Sequence, residues 1–411
     1  MDLIWIVAAF LSGAAARALQ LPTLVGYLLA GLLLAAFGVQ SNDAISAVAD
    51  FGVVMLLFTV GLHINFRSLI QPQVLGVGII HLALSALLFT LLLLLLELPL
   101  PAAVLVAVAL GFSSTVLTAK SLDARDELDS YHGRLAIGIL ILQDVVAILL
   151  LAVAGGGAPT WGALGLLVLP LARPLLLRLL YAVGREELLL IYGLLLALGA
   201  GWLFELVGLD AKLGALAAGM LLAGDARADE LYDKLWALKE IFLVGFFLQV
   251  GLAGLPDARG WLVVALLLLL LPLKGFLFFA LMLRFRLRAR TAFLSSVSLT
   301  AYSEFALIVV AGATTAGLLD GQRVVISGLL VAASFALNAP LSRYVNLLWR
   351  AAAPRLVPWE RDVAHPDHEP RSLGSADYVI LGMGTAGTAA YDYLVEEGKR
   401  PLGLEADPAQ L

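Results

Sequence analysis

The chain has no cysteine in its 411 residues. That excludes disulfides, Cys-ligated zinc and thiolate-held iron–sulfur clusters, and removes any redox clue to compartment. Charge is also scarce: Asp, Glu, Lys and Arg make up 14% of the chain, against about 25% in soluble domains. No nucleic-acid partner is expected of so few basic residues. A basic leader region is missing too. The opening MDLIWIVAAFLSG has no Lys or Arg before Arg17, which suits a first spanning helix with its N-terminus outside better than a cleaved signal.

What is present is apolar: 61% of residues are hydrophobic and the mean hydropathy is +0.98. Runs of around 20 such residues recur, each able to cross a hydrocarbon core of about 30 Å. Breakers and hydropathy place about thirteen spans, near 2–18, 22–39, 45–62, 74–96, 101–120, 134–153, 160–180, 186–207, 210–224, 238–253, 261–283, 291–316 and 323–349. With the C-terminus cytoplasmic, inner loops carry Arg17, Arg67, Lys120, Arg125, Arg134, Arg173, Arg178, Arg185, Arg227, Lys234, Lys239 and the Arg284–Arg290 group, while outer loops carry only Lys212, Arg259 and Arg323. This imbalance is the positive-inside pattern, and an even number of spans would scramble it.

Internal repetition supports the same count. Leu21–Ala35 (LPTLVGYLLAGLLLA) aligns with Leu209–Ala223 (LDAKLGALAAGMLLA), matching Gly26 with Gly214, Ala30 with Ala218 and Gly31 with Gly219. Further on, FTVGL at Phe58–Leu62 echoes FLQVGL at Phe247–Leu252, and Ser113-Ser114-Thr115 lies at a similar offset from Ser303-Glu304. Copies starting at spans 1 and 8 are inverted, an architecture of secondary transporters.

The polar residues inside these spans carry the chemistry. In GILILQDVVAILL, Gln143 and Asp144 stand about ten residues into span 6, roughly 15 Å deep. A carboxylate there costs about 2.5–3.5 kcal/mol on insertion scales. A group whose protonation trades against cation occupancy is the minimum device for cation/proton exchange, so Asp144 is expected to hold potassium or sodium and the proton in turn. The plainer reading, an Asp buried for helix packing, has less to set against that cost. Span 5 carries Gly111-Phe112-Ser113-Ser114-Thr115 at its middle, an expected unwinding point whose hydroxyls and carbonyls can ligate a dehydrated cation. Its counterpart in span 12 is the stretch Ser295–Glu304. Where two broken helices cross, an acid such as Glu304 and a base such as Lys274 would neutralise half-helix ends, with Ser303 beside them; a direct role in transport, Lys274 competing with the cation for Asp144, is the alternative. Gln249 reads as an interhelical hydrogen-bonder, and His63 and His132 as surface residues at cytoplasmic helix ends, with pH sensing as the alternative.

After about residue 350 the texture changes. Residues 351–375 read as a cytoplasmic linker. Residues 376–411 read as a strand, the turn Gly382-x-Gly384-x-x-Gly387, a helix and a second strand ending at Glu405. In that context the glycines would admit a pyrophosphate and Glu405 would bond a ribose. A unit that kept this fold without the ligand is the alternative. Some 36 residues are too few for such a domain, so a longer parent protein is expected. The fold class expected is therefore an all-α polytopic membrane protein of inverted repeats with two broken crossing helices, followed by the start of an α/β Rossmann-like domain.

The segments GFSSTVLTAKSL, GRLAIGILILQDVVAILLL, LGALAAGMLLA, LKEIFLVGFFLQVGL and SEFALIVV, with the GMGTAG tail, resemble the Kef-type potassium/proton antiporters of the monovalent cation:proton antiporter-2 superfamily. One departure is Gly61-Leu62-His63, where that family often has Gly-Leu-Glu. The resemblance implies a thirteen-helix homodimer in a bacterial-type inner membrane, moving its site by an elevator mechanism. Asp144 would carry the proton or cation with help from Gln143. It also implies gating by AMP or NAD(H) at the tail, an ancillary regulatory subunit, and no cofactor for transport itself. The expected function is potassium efflux coupled to proton uptake, not an enzymatic one. The rivals are a sodium/proton antiporter, a nucleotide-gated channel, against which the absence of a TVGYG-like filter counts, and a membrane-anchored NAD-dependent enzyme, for which no substrate domain is visible.

Overall fold

The computed structural model describes residues 3–63, 71–128, 130–154, 160–184, 187–361 and 373–405. Arg67, Arg185, linker residues 362–372 and the His63 side chain lie outside this description. Contacts divide the chain into two units, Met1–Asp362 and Val363–Leu411.

Proline and cap residues cut the apolar runs into helices. Pro22 precedes α2 (Thr23–Ala36) and so separates it from α1 (Leu3–Ala18). After α3 (Asp43–His63), Pro72 opens α4 (Pro72–Leu95). Span 5 is interrupted: α5 (Leu100–Gly111) ends at extended Phe112, and Ser114 caps α6 (Thr115–Asp123). Then come α7 (Tyr131–Ala154), a 3₁₀ segment (Trp161–Val168), α8 (Leu169–Ala182), α9 (Glu187–Glu205), α10 (Ala211–Leu222) and α11 (Ala226–Leu252). Next are α12 (Ala258–Leu269), α13 (Leu271–Arg284), α14 (Ala289–Ser298), α15 (Glu304–Thr315), α16 (Gly321–Arg343) and α17 (Val345–Leu356). Asp210, Asp225, Asp257 and Asp320 each accept a backbone N–H at a helix start. Carboxylates outside the core thus answer the free amides of helix N-termini.

Among the described residues, seven helical stretches are long and apolar enough to cross a membrane, and α1, α2, α5, α10 and α15 are apolar but shorter. Leu, Ile and Phe side chains stand exposed along α1, α4, α8 and α9, as lipid-facing surfaces require. The final span does not run on to 349 as expected. α16 stops at Arg343, and a turn at Tyr344 starts α17, which extends to Leu356 and so occupies the first residues read as linker.

Two groups of helices emerge from the packing: α1–α3 with α9–α11, and α4–α7 with α12–α16. In the first group the repeated glycines decide who meets whom. A Cβ on Gly31 would collide with the Leu248 carbonyl and crowd Gly251, and one on Gly219 would collide with the Phe58 carbonyl and crowd Gly61. So α2 lies directly on α11, and α10 on α3, through equivalent glycine pairs from the two aligned segments. Arg173 on α8 donates to the Leu221 and Ala223 carbonyls, closing the C-terminal end of α10. Gln249 Nε2 donates to Ser46 Oγ at 3.1 Å, linking α11 to α3.

The second unit pairs strand β1 (Tyr378–Leu381) in parallel with β2 (Pro401–Leu404), with α18 (Thr385–Glu396) between them. Gly382 has a φ of +89°, and a Cβ on Gly387 would collide with the Gly382 carbonyl. Both positions therefore need glycine for the tight strand-to-helix turn.

Candidate cation site at the crossing of two broken helices

Two helices lose their regular hydrogen bonding at the same place. Phe112–Ser114 separates α5 from α6, and Leu299–Ser303 separates α14 from α15. The two extended segments meet in an antiparallel bridge between Ser113 and Tyr302. Further bonds close the crossing: Ser113 Oγ donates to the Leu299 carbonyl at 2.6 Å and Thr118 Oγ1 to the Ser298 carbonyl at 2.8 Å.

Breaking two helices in an apolar interior strands backbone groups, and buried side chains answer them. At the C-terminal ends the Lys274 ammonium donates to the Phe112 carbonyl at 2.6 Å and the Ala301 carbonyl at 3.3 Å, and lies 4.9 Å from the centre of the Tyr302 ring. At the N-terminal ends Ser114 Oγ accepts from the Leu117 N–H and donates to Glu304 Oε2 at 2.9 Å, and Ser303 Oγ accepts from the Phe305 N–H. Positive charge thus meets carbonyl ends and negative charge meets amide ends, the arrangement the helix dipoles favour. Lys274 and Glu304 are 1% and 2% exposed.

Gln143 is used in the same way. Its Oε1 accepts from the Ser113 N–H at 2.8 Å and its Nε2 donates to the Gly111 carbonyl at 3.5 Å. Both ends of the amide are committed to the gap in span 5.

Asp144, 4% exposed, has a sparser environment. Thr115 Oγ1 donates across both carboxylate oxygens, at 3.3 and 3.2 Å. Among the described residues no Lys or Arg forms an ion pair with it. A carboxylate has about four acceptor positions, so most of its capacity remains for a proton or a cation.

The expected site residues therefore fall into three groups. Thr115 reaches Asp144. Gln143, Ser113 and Ser114 serve the backbone breaks and Glu304. Lys274, Glu304 and Ser303 sit at helix ends. Ser334 was missed: its Oγ accepts the Tyr302 N–H at 3.1 Å, and nothing in span 13 set that serine apart. His81 was also missed. It is fully buried, stacks on Phe278 with ring centres 3.3 Å apart, and its Nε2 lies 3.3 Å from the Lys274 carbonyl.

His132, read from sequence as a surface residue, is instead 13% exposed and lies 3.2 Å from Glu127, which Ser130 also meets through its Oγ donating to the Glu127 carbonyl. Burial alone would raise the Glu127 carboxyl, but hydrogen bonds and charge from Arg125, and then from His132, outweigh it and hold the group below its ordinary value. Among the described residues no cluster of three His, Cys, Asp or Glu could hold a metal ion.

In the second unit Gly382, Gly384 and Gly387 form the turn, and Gly384 precedes α18. Met383, Gly384, Thr385, Thr388, Ala389 and Asp392 line an open depression there. Glu405, expected to face a ribose, accepts the Met383 N–H at 2.6 Å and so folds back onto the glycine turn.

The sequence profile described as "Sodium/hydrogen exchanger, transmembrane" matches residues 6–342. The chain belongs to the sodium/hydrogen exchanger family. Within that family it is a Kef-type member. The chain is 31% identical over 436 residues to the glutathione-regulated potassium-efflux system protein KefC of Klebsiella pneumoniae (strain 342), covering 99% of the chain and 68% of that protein. It is 30% identical over 428 residues to a putative K(+) efflux antiporter, KefB, of Alkalimonas amylolytica, covering 95% of the chain and 63% of that protein. The chain thus spans about two thirds of the length of these relatives. Their names describe transporters, not enzymes. Its fold matches the sodium proton antiporter MjNhaP1 from Methanocaldococcus jannaschii with a TM-score of 0.61 at 15% identity, covering 87% of this chain and 97% of that one.

Proposed function

We propose that this protein is a secondary active antiporter that exports potassium in exchange for protons, with Asp144 as the exchanging group. The observation that carries this reading is a buried carboxylate bonded by the Thr115 hydroxyl, beside a crossing where Lys274 meets two carbonyls and Glu304 Oε2 meets Ser114. Because no fixed cation among the described residues neutralises Asp144, a proton or a dehydrated monovalent cation competes for it. That competition couples the two fluxes. Thr115 supplies an oxygen beside the carboxylate. Gln143, Ser113 and Ser114 hold the break open, and Lys274, Glu304 and Ser303 balance the half-helix ends. A similarity to proteins named as potassium-efflux systems favours potassium over sodium.

The same reading extends to thirteen spans in inverted repeats, an N-terminus outside and a C-terminus inside. It includes a homodimer in a bacterial inner membrane, an elevator-like movement of α4–α7 with α12–α16 against the other helices, and an ancillary regulatory subunit. Residues 1–350 would form the transport domain, 351–375 the link to the regulatory region and 376–411 the start of a nucleotide-binding domain. AMP or NAD(H) at Gly382, Gly384 and Gly387 would gate transport, with Glu405 released from Met383 to meet a ribose.

The test is proteoliposome exchange followed with an internal pH dye under potassium and sodium gradients, on wild type and Asp144→Asn. Cation-driven proton flux is expected for wild type, larger with potassium, and flux equal to empty liposomes for the variant. Undiminished flux in Asp144→Asn would sink the assignment.

A further inference from the structure

Between the two helix groups, one ion pair lies a short way along α6 from the cation site. Thr115, the first residue of α6, bonds Asp144; Lys120, five residues later and about 7.5 Å along the axis, extends its ammonium to Glu240 Oε2 on α11 at 3.0 Å. Helix α6 packs mainly on α7, α14 and α16, all of its own group, and Lys120 ties it to α11. The receiving face on α11 is built for cations. Trp236 has the Lys239 ammonium 3.7 Å and the Lys120 ammonium 5.6 Å from its ring centre, and Tyr232 lies 5.8 Å from Lys239. Lys239 is 3% exposed although charged, so its place is fixed by these rings. Glu240 Oε1 is buried and makes no hydrogen bond, so the pair is only half satisfied on the acid's side.

We propose that Lys120 and Glu240 are positioning residues for exchange at Asp144: their pair holds α6 against α11 and keeps the carboxylate shut from the end of the molecule where the pair lies. The proposal rests on Asp144 being the exchange site. The pair suits a closure that must open in every cycle. Its side chains are 46% and 24% exposed, and contacts of that kind shift an equilibrium by no more than about fivefold. Site and pair share the short helix α6, so a cation or proton at Asp144–Thr115 acts on the same nine residues that carry Lys120.

In full-length protein reconstituted in vesicles of known orientation, Lys120→Gln and Glu240→Gln are each expected to lower the apparent KM for potassium applied at the Lys120 end, by up to about fivefold. The direction follows because weakening a closed state raises the fraction of open sites on that side. Lys120→Arg and the exchange Lys120→Glu with Glu240→Lys should return KM to the wild-type value. A second arm uses Lys120→Cys with Glu240→Cys, the only thiols in these 411 residues, joined by a reducible bifunctional thiosulfonate. Joining is expected to stop exchange, and reduction to restore it. An unchanged KM in both single variants, a charge exchange that fails to restore it while the protein melts normally, or full exchange by the joined protein would each overturn the proposal. Asp144→Asn tests the site separately: if it transports while the joined protein is blocked, the site assignment fails and the closure stands.

Discussion

At the scale of the residue, Ser113, Ser114 and Thr115 follow one another yet serve three destinations. Ser113 bonds the Leu299 carbonyl, Ser114 bonds Glu304 and Thr115 bonds Asp144. Extended backbone turns Ser113 and Ser114 to opposite sides, and Thr115 already belongs to α6, so neighbours in sequence part company at the break. Thr115→Val is therefore expected to raise the KM for potassium about fivefold to tenfold, the worth of one hydrogen bond, with little change in melting temperature. Gln143→Leu should do the reverse. It strands the Ser113 N–H and lowers stability by about 1–3 kcal/mol, read by denaturation in detergent. Glu127 offers a pH test. A carboxyl held below its unfolded value of about 4.5 stabilises the fold above that value and loses the effect as pH falls through its folded one. The melting difference between wild type and Glu127→Gln should be present above about pH 5 and close under more acidic conditions.

At the scale of the element, the break in span 5 was legible because Gly111 and three hydroxyl residues interrupt an apolar run. Its partner in span 12 was legible from repeat position. The tenants of the breaks were not legible to the same degree. Lys274 satisfies a carbonyl 162 residues away, a pairing that only the folded chain sets. Lys120 and Lys239 read from sequence as loop charges counted for orientation, and the burial of Lys239 against Trp236 has no sequence signal of its own. Lys274→Met is expected to leave the Phe112 and Ala301 carbonyls unpaired and to lower stability by about 2–3 kcal/mol, measured by thermal melting. The repeated glycines were visible as a motif, whereas their crossed partnership of α2 with α11 and α10 with α3 required the structure. A side chain at Gly219 meets backbone that cannot step aside. Gly219→Leu should therefore cost about 3 kcal/mol or more, and a destabilisation no larger than that of a lipid-facing Leu33→Ala would contradict the contact.

At the scale of the whole molecule, the sequence profile and the fold neighbour agree on the membrane part, and ion choice is the property to measure. Potassium is expected to drive more proton flux than sodium at equal concentration, and equal driving by both would favour the sodium/proton rival. The glycine pairs also bear on how the protein is made. Gly31 waits for Gly251, which leaves the ribosome roughly 220 residues later. At about 5–20 residues per second that is a delay of about 10–40 s. Throughout it, α2 and α3 sit in lipid with their small-residue faces uncovered, until α10 and α11 are inserted. Neither half of the first group can finish alone, so the insertion machinery or neighbouring helices must keep the early spans from pairing wrongly until translation is well past the midpoint.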